Sequence, residues 1–196
     1  MSEHFQGKFE AELKYHLQDP QKLINELKKA GATLFTPENK ETDWYMEHNN
    51  TEFSAPTISL CIRKMQPAGI NLLIVKGPDL SQCEAVRIEN AEKTVSMFTT
   101  LGYHCILNYT KSREIYFLDE FHITIDKLDN LGSFAEFAIM TDDPNKLPLY
   151  ADQLKQLATE FGFTEKNLEK NNYKTLMLNK LKSYPNLFSK HVYRDN

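Results

Sequence analysis

The sequence has few of the features that mark extracellular, membrane-spanning or nucleic-acid-binding proteins. Its three cysteines are widely spaced and form no C-x-x-C pair, which disfavours a disulfide framework and a thiolate metal site. No stretch approaches the roughly 18 consecutive apolar residues that a transmembrane helix needs. The formal net charge is −4, which argues against nucleic-acid binding through a basic surface. We therefore expect a reducing, cytoplasmic location, with no membrane and no nucleic acid as a partner.

Signals for a secretory leader and for separate domains are also missing. The first residues, Met1–Phe5, contain no basic region followed by an apolar run, so we expect no signal peptide. The chain has no internal repeat and no linker rich in glycine, proline or serine. Its 196 residues, 41% of them hydrophobic, are enough for one packed domain. We predict one domain over residues 1–181 and a polar C-terminal tail over residues 182–196.

Hydrophobic periodicity predicts about eight strands, two helices inserted between strand groups and a helical C-terminal portion. Asp19 and Pro20 mark the start of the first helix, Asn90 marks the start of the second, and the polar segment His48–Ala55 is typical of a loop. Short turns join most neighbouring strands, which favours antiparallel pairing. The pattern predicts an α+β fold, an antiparallel eight-stranded closed β-barrel (a tunnel) with flanking helices.

The most informative segment is FEAELKY, from Phe9 to Tyr15, in which apolar residues alternate with Glu10, Glu12 and Lys14. This period of two is typical of a β-strand with one apolar face and one charged face. An ordinary amphipathic strand with a solvated polar face is one interpretation. The other is a charged cavity, because ionised groups are costly to bury unless they are paired or bind a ligand.

Later predicted strands also place charged residues among apolar or small neighbours. Each one alone is weak, because a lone cation on a strand usually lies on a solvated face or protects an edge. If the strands close, both signs of charge meet in one tunnel, which suits a polyanion joined to the carboxylates by a divalent metal. The converging residues would be Lys14, Arg63, Lys76, Lys111 and Arg113 with Glu10, Glu12, Asp126 and Glu136.

These residues give the chain a family resemblance. Glu10–Lys14 matches an E-x-E-x-K signature, and the later charged residues follow in order at strand positions. With both features the sequence resembles the CYTH superfamily of triphosphate-tunnel proteins. Within that superfamily it resembles the class IV adenylyl cyclases. The resemblance runs from residue 1 to about residue 173. The other matching stretches are Met1–Phe5, Ile74–Pro78, Thr100–His104, Ile115–Phe117, Phe121–Thr124, Phe134–Glu136 and Ile139–Asp143.

The resemblance implies an enzyme that converts ATP to 3′,5′-cyclic AMP and pyrophosphate. It also implies Mg²⁺ or Mn²⁺ as cofactor and a homodimer. The expected chemistry is an in-line attack of the ribose 3′-oxygen on the α-phosphorus, assisted by two metal ions.

The same resemblance implies roles for individual residues. The main metal ligands would be Glu12 and Glu136, with Glu10 close by. The triphosphate would be held by cations, namely Arg63, Lys76, Lys111 and Arg113. The candidate catalytic residues are the tunnel acids and one lysine, namely Glu10, Glu12, Lys14, Asp126 and Glu136.

Two other functions stay open at this point. One is a metal-dependent triphosphatase acting on inorganic triphosphate or thiamine triphosphate, and the other is a non-catalytic nucleotide- or polyphosphate-binding module. Many triphosphatases of the superfamily carry a second acid where this chain has Ala138, which weakens the hydrolase alternative without excluding it. The sequence does not identify the adenine-recognition residues or the roles of Glu84 and Arg87, and for His122 it favours a structural hydrogen bond.

Overall fold

The computed structural model describes residues 3–50 and 57–183, and within them it contains nine strands and four α-helices. The strands are β1 (Phe9–Leu17), β2 (Thr33–His48), β3 (Ser59–Gln66), β4 (Ile70–Lys76), β5 (Cys83–Arg87), β6 (Tyr103–Leu118), β7 (Phe121–Leu128), β8 (Gly132–Thr141) and β9 (Leu168–Glu169). The helices are α1 (Pro20–Lys29), α2 (Ala91–Thr100), α3 (Leu147–Glu160) and α4 (Tyr173–Ser183). No helix in these ranges is long and apolar enough to cross a membrane.

The strands form one sheet in the order β5-β4-β3-β2-β6-β7-β8-β1-β9. The registers described below are antiparallel, so the predicted α+β class with an antiparallel sheet and flanking helices is confirmed. The two-residue β9, which periodicity did not predict, is the ninth strand. Residues 51–56, which include part of the predicted loop, lie outside the described residues, and so does the tail from residue 184. The domain boundary at 181 therefore stays a prediction.

The chain divides into two compact units. The first unit comprises Met1–Asn39 and Ser112–Lys170, and the second comprises Lys40–Lys111 and Asn171–Asn196. The long strands β2 and β6 contribute residues to both units.

In the first unit, β1 is covered on both faces. The apolar residues on one face of β1 enter a core with α1 and α3. In this core Leu27, Phe137 and Leu154 have no solvent exposure. On the opposite, charged face of β1, Lys14 is only 5% exposed. The charged side of β1 is therefore largely buried and not an ordinary solvated face, and its role in lining a ligand cavity stays a prediction.

The predicted helix starts are confirmed by side-chain caps. The Asp19 carboxylate accepts a hydrogen bond from the backbone N–H of Lys22 at 3.0 Å, and Asn90 accepts one from the N–H of Lys93 at 2.8 Å. Such caps satisfy N–H groups that have no partner inside the helix. Both helices therefore begin where the sequence predicts.

In the second unit, β2, β3, β4 and β5 pair in sequence order. One face of this ladder packs against α2 through Ile62, Ala91 and Phe98. The other face carries Arg63, which lies opposite Asp43 on β2 and Leu72 on β4. Because side chains alternate along a strand, burying Ile62 under α2 directs Arg63 away from the helix.

Two glycines of the second unit flank β4, and they differ in the room that an added side chain would have. Gly69 has a φ of +66° and Gly77 a φ of +106°. A Cβ added at Gly69 would meet nothing within 4 Å. A Cβ added at Gly77 would lie 2.1 Å from the carbonyl oxygen of Thr57. We expect Gly69→Ala to lower the free energy of unfolding by about 1 kcal/mol through backbone strain alone. Gly77→Ala should cost about 1–3 kcal/mol more, because a backbone atom blocks the methyl group. Urea unfolding of both variants checks this, and equal losses would contradict it.

Candidate active site

In the first unit, the sheet register brings the predicted acids and cations together. Lys14 on β1 and Thr124 on β7 both lie opposite Glu136 on β8. Cross-strand neighbours of this kind have Cβ atoms about 4.5–5.5 Å apart, so their side chains can contact one another. The alternation that made β1 unusual therefore places Glu12 and Lys14 beside the acid of the last long strand.

Arg113, on β6, is held by two carboxylates. Its Nε donates to Asp126 Oδ1 at 2.6 Å, and its Nη2 donates to both Asp126 Oδ2 and Glu136 Oε2. Thr124 Oγ1 donates to Asp126 Oδ2 at 3.3 Å and lies 3.4 Å from Glu136 Oε2. Asp126 is fully buried, and a buried carboxylate needs such partners. The network fixes the plane of the guanidinium.

The Lys14 ammonium marks the point where two predicted metal ligands converge. Lys14 Nζ lies 3.2 Å from Glu136 Oε1 and 3.7 Å from Glu12 Oε1. A cation can therefore contact both carboxylates, and their oxygens are the ligands that Mg²⁺ and Mn²⁺ prefer. Within the described ranges, no three His, Cys, Asp or Glu side chains are arranged to hold a metal by themselves. The donor set fits a metal that completes its coordination with phosphate oxygens and water.

Glu10 faces a histidine. Its Oε1 lies 3.6 Å from His122 Nε2, and its side chain is 14% exposed. His122 is buried, and its Nδ1 has no hydrogen-bond partner among the residues that the structure describes. The histidine thus lies at the end of the acidic row of β1.

The first-unit cluster carries a formal excess of two negative charges when His122 is neutral. It contains two cations, Lys14 and Arg113, against four carboxylates. The carboxylates are Glu10, Glu12, Asp126 and Glu136. Buried charge of one sign is costly, so this composition favours the binding of a cation.

In the second unit, Arg63 and Lys111 are paired with two buried acids. Arg63 donates from Nε to Asp43 Oδ1 at 2.7 Å and from Nη2 to Asp43 Oδ2 at 2.8 Å. Glu41 Oε2 lies 3.1 Å from Arg63 Nη1 and 3.2 Å from Lys111 Nζ. Glu41 and Asp43 are at most 1% exposed. This group of four charged residues is formally neutral.

Aromatic side chains lie beside these cations of the second unit. Lys111 Nζ is 4.8 Å from the ring centroid of Tyr173 on α4, a distance at which a cation is attracted to the ring. The hydroxyl oxygens of Tyr45 and Tyr109 are 3.4 Å apart. Burial raises the pKa of both phenols well above the usual value, and it does the same for the Cys61 thiol. These groups are therefore neutral near pH 7, and Cys61 is not a thiolate nucleophile.

The structure separates the remaining candidates. Lys76 is exposed at the end of β4. Glu84 and Arg87, whose roles the sequence left open, are exposed on β5, and their spacing of three places them on opposite faces of that strand. The roles of all the predicted site residues stay predictions.

Sequence reasoning missed Glu41 and Asp43. Asn39, Glu41 and Asp43 alternate along β2 as Glu10, Glu12 and Lys14 do along β1, and all three are buried. The intervening residues Lys40 and Thr42 are polar, and that side of the strand becomes apolar only at Trp44 and Met46. The alternation of apolar and charged residues that marked β1 is therefore incomplete around Glu41 and Asp43.

Comparison with known proteins gives consistent matches. Residues 8–173 match the family described as the CYTH domain. The chain is 46% identical over 175 residues to "Adenylate cyclase CyaB" of Aeromonas hydrophila, covering 89% of this chain and 92% of that protein. It is 25% identical over 170 residues to a candidate adenylate cyclase of Methanocaldococcus jannaschii, covering 84% and 95% of the two chains. A solved structure of a candidate adenylate cyclase from Vibrio parahaemolyticus has a TM-score of 0.83 at 40% identity and covers 88% of this chain and 99% of its own. That likeness confirms the predicted fold class.

Proposed function

The chain belongs to the CYTH domain family, and from this premise we propose that it is an adenylyl cyclase of class IV, which converts ATP to 3′,5′-cyclic AMP and pyrophosphate. The observation that carries the proposal is the 46% identity to the Aeromonas cyclase over most of both chains. The buried charged clusters support it, because a nucleotide triphosphate with a divalent cation supplies both signs of charge.

We propose that Glu12 and Glu136 hold Mg²⁺ or Mn²⁺, with Glu10 close by. The convergence of both carboxylates on the Lys14 ammonium supports this assignment. When bound, the metal supplies Lewis-acid stabilisation of the phosphate oxygens and lowers the pKa of a coordinated hydroxyl. The two-metal division of labour stays part of the proposal.

The chain's own residues bind and orient the nucleotide. Lys14 lies beside the proposed metal-binding carboxylates. The proposed contacts of the triphosphate are Arg63, Lys76, Lys111 and Arg113. Arginine suits this task because its planar fork can bind two phosphate oxygens at once. The buried setting excludes water, which strengthens each contact with the charge that develops on the leaving group.

In the proposed reaction the ribose 3′-oxygen forms a new bond to the α-phosphorus. The bond from that phosphorus to the bridging oxygen of the β-phosphate breaks, pyrophosphate leaves, and the 3′-hydroxyl proton passes to solvent. Positioning of the 3′-oxygen in line with the leaving group supplies much of the rate enhancement. No described residue has to act as a covalent nucleophile.

Product analysis tests the proposal. We expect purified protein with ATP and Mn²⁺ to form cyclic AMP and pyrophosphate in equal amounts. Orthophosphate release from ATP, inorganic triphosphate or thiamine triphosphate would identify a triphosphatase, and nucleotide binding without turnover would identify a binding module. Nuclease-free, metal-free protein with added EDTA is the blank for each assay. Either of the latter two results overturns the cyclase assignment.

The remaining partner assignments are also proposals. We propose a cytoplasmic homodimer, supported by the resemblance to the cyclase branch and, for the reducing location, by three free cysteines. Light scattering coupled to size-exclusion chromatography checks the stoichiometry, and a monomer at micromolar concentration would contradict it.

A further inference from the structure

The second unit contains two buried carboxylates, Glu41 and Asp43, that neither the sequence pattern nor the proposed chemistry uses. We propose that they are positioning residues for phosphate binding: Asp43 orients the Arg63 guanidinium, and Glu41 couples Arg63 to Lys111. This inference rests on the proposed function, because it concerns cations assigned there to the triphosphate.

The Asp43–Arg63 geometry supports an orienting role. The two residues lie directly opposite each other in the β2–β3 register, and the carboxylate receives both Nε and Nη2 at 2.7 and 2.8 Å. A two-pronged pair fixes the plane of the guanidinium as well as its position. The backbone carbonyl of Asp43 also accepts a hydrogen bond from Asn108 Nδ2 at 3.1 Å, which holds β2 against β6 at this point.

Glu41 has a different role because one oxygen serves two strands. Its Oε2 lies within 3.2 Å of both Arg63 Nη1 on β3 and Lys111 Nζ on β6. Lys111 is further restrained by the ring of Tyr173. Both long side chains would otherwise lose considerable rotamer entropy when a ligand binds, and fixing them in advance lowers that cost.

The charge of the group argues against a simple attractive role. Two carboxylates and two cations are formally neutral, so these residues add orientation and hydrogen-bond donors without adding net positive charge. If bulk positive charge were what the site required, Glu41 and Asp43 would oppose binding. The burial of Asp43 beside Arg63 is better explained by the need to hold that guanidinium at a fixed angle.

The test compares tripolyphosphate binding in EDTA buffer, by titration calorimetry, with the kcat and KM for ATP. We expect Asp43→Asn to weaken tripolyphosphate binding about tenfold or more and to lower kcat about 10–100-fold. Glu92→Gln is the matched control, because Glu92 pairs with Lys64 in the same unit but is 55% exposed. Its binding and kinetics should equal those of the wild type.

Two further variants separate orientation from folding and from charge. Arg63→Lys keeps the charge and loses the fork, so it should bind tripolyphosphate as weakly as Asp43→Asn. In an Arg63→Ala background, Asp43→Asn should change neither binding nor kcat further, because the carboxylate acts through that side chain. Asp43→Asn with wild-type binding and kcat, Arg63→Lys that binds like the wild type, or additive losses in the double variant would each overturn the proposal.

The outcome also distinguishes this inference from the proposed function. A wild-type protein that binds tripolyphosphate but makes no cyclic AMP refutes the cyclase assignment and leaves the binding comparison decisive for Asp43. A wild-type protein that binds no tripolyphosphate refutes the phosphate-positioning role as well.

Discussion

Glu12→Gln is expected to abolish cyclic AMP formation while leaving the fold intact. Glu12 is a proposed metal ligand, and a neutral amide binds Mg²⁺ or Mn²⁺ much more weakly than a carboxylate does. Its side chain is 26% exposed and lies 3.7 Å from Lys14 Nζ, a longer distance than the 3.2 Å between Lys14 and Glu136. We therefore expect kcat to fall about 100-fold or more, with a thermal midpoint within a few degrees of the wild-type value.

The control for this prediction is Glu26→Gln. Glu26 also pairs with a lysine, Lys29 at 2.9 Å, but both residues are exposed on α1. Its activity and Mn²⁺ dependence should match the wild type. Retained activity in Glu12→Gln at saturating ATP, with an unchanged Mn²⁺ dependence, would refute the metal assignment.

Glu136→Gln should also lose activity, but its interpretation differs. Glu136 accepts from Arg113 and pairs with Lys14, and its side chain is 8% exposed. The substitution therefore removes charge from a buried network as well as from the proposed metal site. The ion pairs therefore make an intact fold a safer expectation for Glu12→Gln than for Glu136→Gln.

Much of the fold could be predicted because the local signals and the tertiary structure agree. Pro20 and the Asp19 cap define the start of α1, and alternation over Phe121–Leu128 gives the bounds of β7. The strand β9 could not be predicted, because two residues carry no period and their assignment depends on pairing with Lys14 and Tyr15 of β1. That strand is defined by its tertiary pairing with β1 and not by a local sequence propensity.

The site was predictable where charged residues alternate with apolar residues along a strand. On β1 the alternating Ala11 and Tyr15 enter the core, so Glu12 and Lys14 stood out as charges on a buried strand. On β2 the neighbours Lys40 and Thr42 are polar as well. Only the three-dimensional pairing with Arg63 and Lys111 shows that Glu41 and Asp43 are buried. Burial of this kind depends on neighbouring strands, which the local pattern does not contain.

Arg113→Ala is expected to produce the largest combined loss of stability and nucleotide binding. The substitution removes the guanidinium that donates to Asp126, which has no solvent exposure, and one partner of Glu136. Breaking a buried ion pair from one side leaves an uncompensated charge and costs about 3–5 kcal/mol. It also removes a proposed triphosphate contact. Urea unfolding and ATP titration should both show large decreases relative to the wild type.

The double variant Arg113→Ala/Asp126→Asn separates these two effects. Neutralising Asp126 removes the buried charge that Arg113 had balanced, so we expect it to restore a substantial part of the unfolding free energy lost in Arg113→Ala. ATP binding should stay weak, because the guanidinium is still absent. Recovery of binding along with stability would mean that Arg113 acts only through the fold, and its assignment to the triphosphate would then be wrong. Stability restored without binding would instead separate the structural pair with Asp126 from a direct contact between Arg113 and phosphate.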